Sequence, residues 1–179
     1  MRIISGSHRG KQLIAPKTLP VRPTTDFAKE SLFNILNNYF FFDSIKVLDL
    51  FAGTGNISYE FGSRACLDIT AVDSHAGCVQ YIRKTAEALA YPIEVVKSDV
   101  FTYLERCLSQ YDVIFADPPY DMEPERLERL IGMVFERNLL SEEGLLIVEH
   151  SSKVYLEEVP HFQEERRYGG TTFSLFNNE

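Results

Sequence analysis

The sequence predicts an α/β fold: a mostly parallel sheet covered by helices on both faces, ending in an antiparallel hairpin and preceded by a small β-hairpin. Three observations carry that expectation. From residue 46 onward, five short apolar runs alternate with stretches of helical periodicity. The runs are apolar without a polar residue at every second place, as strands buried on both faces must be. The C-terminal residues break that rhythm with two strand-like segments around a Gly-Gly turn.

The elements follow in order. Arg2–Ser5 and Gln12–Ala15 read as two short strands joined by the turn-prone Gly6-Ser7-His8-Arg9-Gly10. They make residues 1–20 a small arm on a single body, residues 21–179. The arm lies outside the parallel sheet, so its removal is expected to spare the fold and the pocket. Val21-Arg22-Pro23 is held extended by proline geometry. Thr24 or Thr25 can then cap a helix running to about Asn38, with Ala28, Leu32, Ile35, Leu36 and Tyr39 on its buried face. Strand candidates are Lys46–Phe51, Ile69–Asp73, Ile93–Lys97, Asp112–Asp117 and Leu145–Glu149. Helical stretches lie near 56–64, 75–90, 100–108 and 123–138. His161–Tyr168 and Thr171–Asn177 flank Gly169-Gly170 and close the chain as a hairpin. A parallel α/β sheet with that ending is the architecture of Rossmann-like class I methyltransferases rather than of dehydrogenase domains.

Composition narrows the function classes. At 179 residues, 45% apolar and 25% charged, the chain has the balance of one globular domain. No apolar run is long enough to span a bilayer, and the N-terminus turns polar before a signal-type region develops. Cys66, Cys78 and Cys107 are odd in number and far apart, which points to reduced thiols in a cytoplasmic protein. His8, His75, His150 and His161 are scattered, so no metal site is expected. The net charge is −8, yet residues 1–25 hold Arg2, Arg9, Lys11, Lys17 and Arg22 and no acid. A basic arm on an acidic body suits local contact with phosphate. A solvated tail is the alternative that charge alone leaves open.

Val47-Leu48-Asp49-Leu50-Phe51-Ala52-Gly53-Thr54-Gly55-Asn56 is a strand breaking into a glycine turn that opens a helix. Glycine lets the backbone approach a ligand closely. Asp73 closes the next strand 20 residues after Gly53, where a carboxylate can accept from both ribose hydroxyls. A dinucleotide site wants a third glycine, and position 58 is Ser; it also wants no carboxylate such as Asp49 beside a diphosphate. S-adenosyl-L-methionine has no phosphate and carries an ammonium and a sulfonium, so acidic neighbours suit it. Contacts to it are expected from Asp49, Phe51, Ala52, Gly53, Thr54, Gly55 and Asn56, and from Asp73 and Ser74. Asp99 and Val100, after the third strand, complete the set: Asp99 accepts from the adenine amino group, caps a helix, or does both.

Asp117-Pro118-Pro119-Tyr120 follows the fourth strand. Ligands of open α/β sheets sit beyond the carboxyl ends of the strands where the order reverses, which brings this loop opposite the glycine turn. An exocyclic amine on a base is a poor nucleophile, because its lone pair is delocalised into the ring. The Asp117 carboxylate and the Pro118 carbonyl can hold its two N–H groups, Pro119 stiffens the turn, and Tyr120 offers a face for stacking. Alignment alone can lower such a barrier by about 7–11 kcal/mol.

These motifs carry a resemblance. Asp-Pro-Pro-Tyr marks amino-methyltransferases. Arg2-Ile3-Ile4-Ser5-Gly6 with Arg9-Gly10, Arg22-Pro23-Thr24-Thr25-Asp26 with Glu30-Ser31-Leu32-Phe33-Asn34, and the closing Arg167-Tyr168-Gly169-Gly170-Thr171 resemble the bacterial 16S ribosomal RNA guanine-N2 methyltransferase family along essentially the whole chain. The resemblance implies methylation of a guanine in 16S rRNA, in the small ribosomal subunit or its assembly intermediates, by a monomer. It implies RNA docking through Arg2, His8, Arg9 and Lys11, and it places Arg22 and Thr24 near the cofactor's methionine end. Tyr120 departs mildly, since Phe is also frequent there and Tyr occurs in adenine-N6 nucleic-acid methyltransferases, so the target base stays open. A protein glutamine-N5 methyltransferase typically carries Asn at the place of Asp117. An inactive RNA-binding Rossmann-like scaffold would not need the intact Asp49, Gly53, Gly55, Asp73 and Asp117 set, and a nicotinamide oxidoreductase lacks its third glycine.

Overall fold

The computed structural model describes residues 1–22 and 24–179; Pro23, expected to be extended, lies outside them. Five parallel strands, β1 (Lys46–Leu50), β2 (Asp68–Asp73), β3 (Ile93–Lys97), β4 (Tyr111–Ala116) and β5 (Leu140–Ser151), join the antiparallel pair β6 (Phe162–Tyr168) and β7 (Thr171–Phe176). The order is β3-β2-β1-β4-β5-β7-β6, with β7 running antiparallel to both neighbours. The expected Rossmann-like sheet with its C-terminal hairpin is therefore present. The order reverses between β1 and β4, which pair in parallel from Val47↔Val113 to Leu50↔Ala116. That reversal opens the crevice beyond their carboxyl ends.

Side chains alternate across the sheet and both faces are covered. Leu48, Leu50, Ile114, Ala116, Leu146 and Val148 pack under α4 (Val100–Arg106) and α5 (Pro124–Glu136). Val47, Val113, Phe115, Leu145 and Ile147 face α1 (Asp26–Leu36) and α2 (Asn56–Ser63). A third cluster joins α3 (Ala76–Leu89) to the arm through Ile3, Tyr59, Val79 and Ile82.

The differences from expectation are local. Thr25 caps α1, its hydroxyl accepting from Ala28 N at 3.1 Å, and the helix ends at Leu36. Tyr39 lies beyond it and is exposed rather than on the buried face. β1 stops at Leu50 because Phe51 takes φ +58°, and β5 starts five residues earlier than its apolar run.

The arm differs most. Its two strands reduce to one antiparallel bridge, Arg2↔Gln12, flanked by Ile3 N→Lys11 O at 3.0 Å and Leu13 N→Met1 O at 2.9 Å. The reason lies in the body. Ile4 N and Ser5 N donate to the Glu60 carboxylate at 2.9 and 3.0 Å, and Ser7 N donates to Ser63 O at 2.7 Å. Lys29 Nζ, fully buried, bonds Arg2 O at 2.5 Å and lies 3.3 Å from Glu60 Oε2. Ile3 is 1% exposed. The arm is therefore anchored to the core through Ile3 and bonded to α1 and α2, so its deletion is expected to cost stability rather than spare the fold.

Candidate active site

A crevice of about 490 Å³ lies beyond the carboxyl ends of β1 and β4. The β1–α2 turn forms one wall. Gly55 sits at φ +80°, and a Cβ there would come within 2.6 Å of the Tyr59 ring, so only glycine allows α2 to start so close to the strand. Phe51 takes a left-handed φ of +58° without being glycine, which turns the chain out of β1 into the glycine turn. Asp73, at the end of β2, ties this wall together: Oδ2 accepts from Gly53 N and Oδ1 from His75 N, each at 2.8 Å.

Asp117 and Pro118 form the opposite wall, with Pro119 and Tyr120 at its exposed rim. The Arg22 guanidinium lies 4.8 Å from the Tyr120 ring centroid, a cation–π contact across the mouth. Asp49 and Glu149 complete the floor, both almost wholly buried.

Three carboxyl groups thus share a small, poorly hydrated space. Burial pushes Asp49 up to about 7, against a 2.6 Å hydrogen bond from Ser58 Oγ. Burial likewise raises Glu149 to about 7, opposed by the Thr24 hydroxyl and Arg22. Asp117 is raised well above the ordinary carboxylate range by burial first and then by the charges of Glu149 and Asp49; Arg22 pulls the other way. A cationic occupant would favour the ionised form of these carboxyls and be held by it, whereas a diphosphate would oppose their ionisation. The glycine cradle, the acidic floor and Asp73 together fit S-adenosylmethionine.

Most residues expected at the site line this crevice: Arg22, Thr24, Asp49, Phe51, Ala52, Gly53, Thr54, Asn56, Asp73, Ser74 and the Asp117–Tyr120 loop. Several have structural duties as well. Asn56 accepts from Lys29 Nζ at 2.8 Å and donates to Thr24 O at 3.3 Å. Gly55 shapes the turn without lining the crevice. Asp99 caps α4 by accepting from Thr102 N at 3.0 Å, and Val100 is buried in the core, both outside the lining. On the arm, Arg9 and Lys11 are exposed. Arg2 pairs with Asp26 at 3.1 Å, and His8 Nδ1 is 2.6 Å from the Tyr91 hydroxyl. Glu149 and Thr171 were not expected from the sequence. Glu149 ends the apolar run Leu145-Leu146-Ile147-Val148, the same signal that marked Asp73.

Sheet order, glycine turn, strand-end acid and Asp-Pro-Pro-Tyr loop define a class I methyltransferase, the class whose methyl donor is S-adenosylmethionine. The chain belongs to the family described as Conserved hypothetical protein 95, whose model matches residues 1–177. It is 34% identical over 163 residues to the "Putative rRNA methyltransferase YlbH" of Bacillus subtilis, covering 88% of this chain and 86% of that one. It is 31% identical over 183 residues to the "Ribosomal RNA small subunit methyltransferase D" of Escherichia coli, covering 100% and 90%. The solved "Putative methyltransferase yhhF from Escherichia coli" superposes with a TM-score of 0.86 at 31% identity, over 100% of this chain and 98% of that one.

Proposed function

We propose that this protein methylates the exocyclic N2 amine of a guanine in 16S ribosomal RNA, within the small ribosomal subunit or an intermediate of its assembly. The observation that carries the reading is the Asp117–Tyr120 loop standing opposite the Gly53–Gly55 turn across one crevice. The small-subunit name of the E. coli relative supports the RNA substrate, and the resemblance of the opening and closing motifs supports guanine.

In this reading Asp73 holds the ribose of S-adenosylmethionine, Gly53 and Ala52 let its chain lie against the turn, and Asp49, Arg22 and Thr24 surround the amino-acid end. Asp99, exposed at the N-cap of α4 beyond the crevice lining, keeps one carboxylate oxygen on Thr102 N and has the other free for the adenine amino group. When bound, the cofactor supplies an electrophilic methyl group on a sulfonium. The protein's own residues do the rest. Asp117 accepts one N–H of the guanine amine and the Pro118 carbonyl accepts the other, which aims the nitrogen lone pair out of the ring plane. Tyr120 stacks on the base, a contribution of about 1–3 kcal/mol, once Arg22 leaves its face. The methylated nitrogen must shed a proton, and Asp117, whose affinity for protons is raised, takes it at Oδ. A base buried in a duplex cannot reach this floor, so the target guanine is unstacked. Exposed Arg9 and Lys11 supply the phosphate contacts.

The test is transfer from deuterated S-adenosylmethionine to bacterial small subunits lacking the modification, followed by mass spectrometry of the nucleosides. N2-methylguanosine carrying the deuterated methyl is expected. N6-methyladenosine instead would keep the reaction and overturn the substrate.

A further inference from the structure

We propose that Glu149 is a specificity-determining residue that reads the N1–H and N2–H edge of the acceptor guanine. This rests on the guanine reading above. Glu60, a carboxylate just as buried but away from the crevice, makes a useful contrast. Glu60 is fully buried and every oxygen is occupied: Ile4 N, Ser5 N, Arg64 Nε at 3.0 Å and Lys29 Nζ at 3.3 Å. That is what a structural glutamate looks like in this fold. Glu149 is 4% exposed and belongs to no ion pair among the described residues. Its donors are hydroxyls, Thr24 Oγ1 at 3.5 Å, the limit of a hydrogen bond, and Thr171. It faces the crevice, and its unfilled lone pairs want donors from whatever enters.

Its place in the sheet says which donors. β4 and β5 pair up to Ala116↔Val148, so the next residues, Asp117 and Glu149, stand side by side past the last parallel pair. Guanine presents three contiguous donors on one edge, N1–H and the two N2–H. Asp117 and Pro118 hold the two N2–H groups, and the neighbouring carboxylate is placed for the adjacent N1–H. Above pH 7, where Glu149 is ionised, its carboxylate only accepts. A base with a bare acceptor at N1, such as adenine or 2-aminopurine, therefore meets lone pair against lone pair. Thr24 from the segment before α1 and Thr171 from β7 steady the carboxylate, and Arg22 balances its charge. The charged groups facing Glu149 are thus Asp117, just past β4, and Arg22.

2-Aminopurine isolates this contact, because it keeps the reacting N2 amine and lacks only N1–H and O6. Small subunits are reconstituted on RNA carrying guanine, 2-aminopurine or adenine at the mapped target position. Single-turnover kcat/KM is then measured for the wild-type protein and for Glu149→Gln. Wild-type protein should prefer guanine over 2-aminopurine on the order of 10⁴-fold, as sites built to satisfy an N–H reject analogues without it. The Gln amide can turn its N–H toward the bare N1 of 2-aminopurine or its oxygen toward the N1–H of guanine, so the preference should shrink to about tenfold or less. Equal use of guanine and 2-aminopurine by the wild-type protein overturns the proposal, a result that needs no variant to fold. So does a Glu149→Gln protein slowed equally on both, which marks a structural role. Faster methylation of the adenine-bearing subunits than of the guanine-bearing ones instead overturns the guanine reading beneath it.

Discussion

Asp49, Asp117 and Glu149 converge from three neighbouring strands on one floor, and burial dominates the proton affinity of each. With Asp49 and Glu149 raised to about 7, the ligand-free folded chain keeps protons that the unfolded chain has already lost. The contribution of these two groups to stability is therefore fullest below the ordinary carboxylate range and is lost as pH rises through about 7. A cationic ligand works in the opposite direction, since it favours the ionised floor. Affinity for S-adenosylmethionine should rise with pH up to about 7, by about tenfold per pH unit for each proton released, then level off. Calorimetric titration in two buffers of different ionisation enthalpy checks both the trend and the proton count. An affinity flat across that range, with no proton release, contradicts the acidic-floor account. Asp49, Asp73 and Asp117 were legible in the sequence because each lies in or just past a short apolar strand that meets a turn. Glu149 obeys much the same rule, yet β5 runs on to Ser151 and pairs with β7, so no turn marks it. Thr171 reaches the site only through that antiparallel pairing, which no local pattern encodes.

Among the elements, strands and helices with strong periodicity were legible to within a few residues, because burial on both sheet faces forces long apolar runs. The arm was not. Its hairpin signal is local, while the groups that hold it, Lys29, Glu60 and Ser63, sit on α1 and α2 and give no sign of it in sequence. A lysine on the buried face of α1 looks like a break in the pattern until Glu60 is placed beside it. Removing residues 1–16 would expose Ile3's site and strip donors from a buried ion pair, and breaking such networks costs about 3–5 kcal/mol. The truncated protein should lose much of its stability in thermal unfolding. Arg9→Glu/Lys11→Glu touches only exposed side chains, so its melting temperature should match wild type while RNA affinity and its salt dependence fall. A truncated chain as stable as wild type contradicts the clamped arm, and a charge-reversed protein with undiminished RNA affinity places docking elsewhere.

At the scale of the whole molecule, charge and topology divide the work. Eighteen basic residues face 26 acids, yet residues 1–25 hold five of those bases and no acid; of these Arg2 pairs with Asp26 and Arg22 lies at the crevice, while Arg9 and Lys11 stay exposed. The strand order brings the glycine turn of β1 and the loop after β4 to the same point, where methyl donor and amine can meet. The central claim is that this one crevice both binds the donor and performs the transfer, with Asp117 serving only the second task. Single-turnover methyl transfer to small subunits by Asp117→Ala, saturated with labelled S-adenosylmethionine, tests it most directly. The account predicts a rate lower by on the order of 10²–10³-fold, with cofactor affinity within a few fold of wild type. Transfer at the wild-type rate would remove Asp117 from the chemistry and the Asp117–Tyr120 loop from the acceptor site.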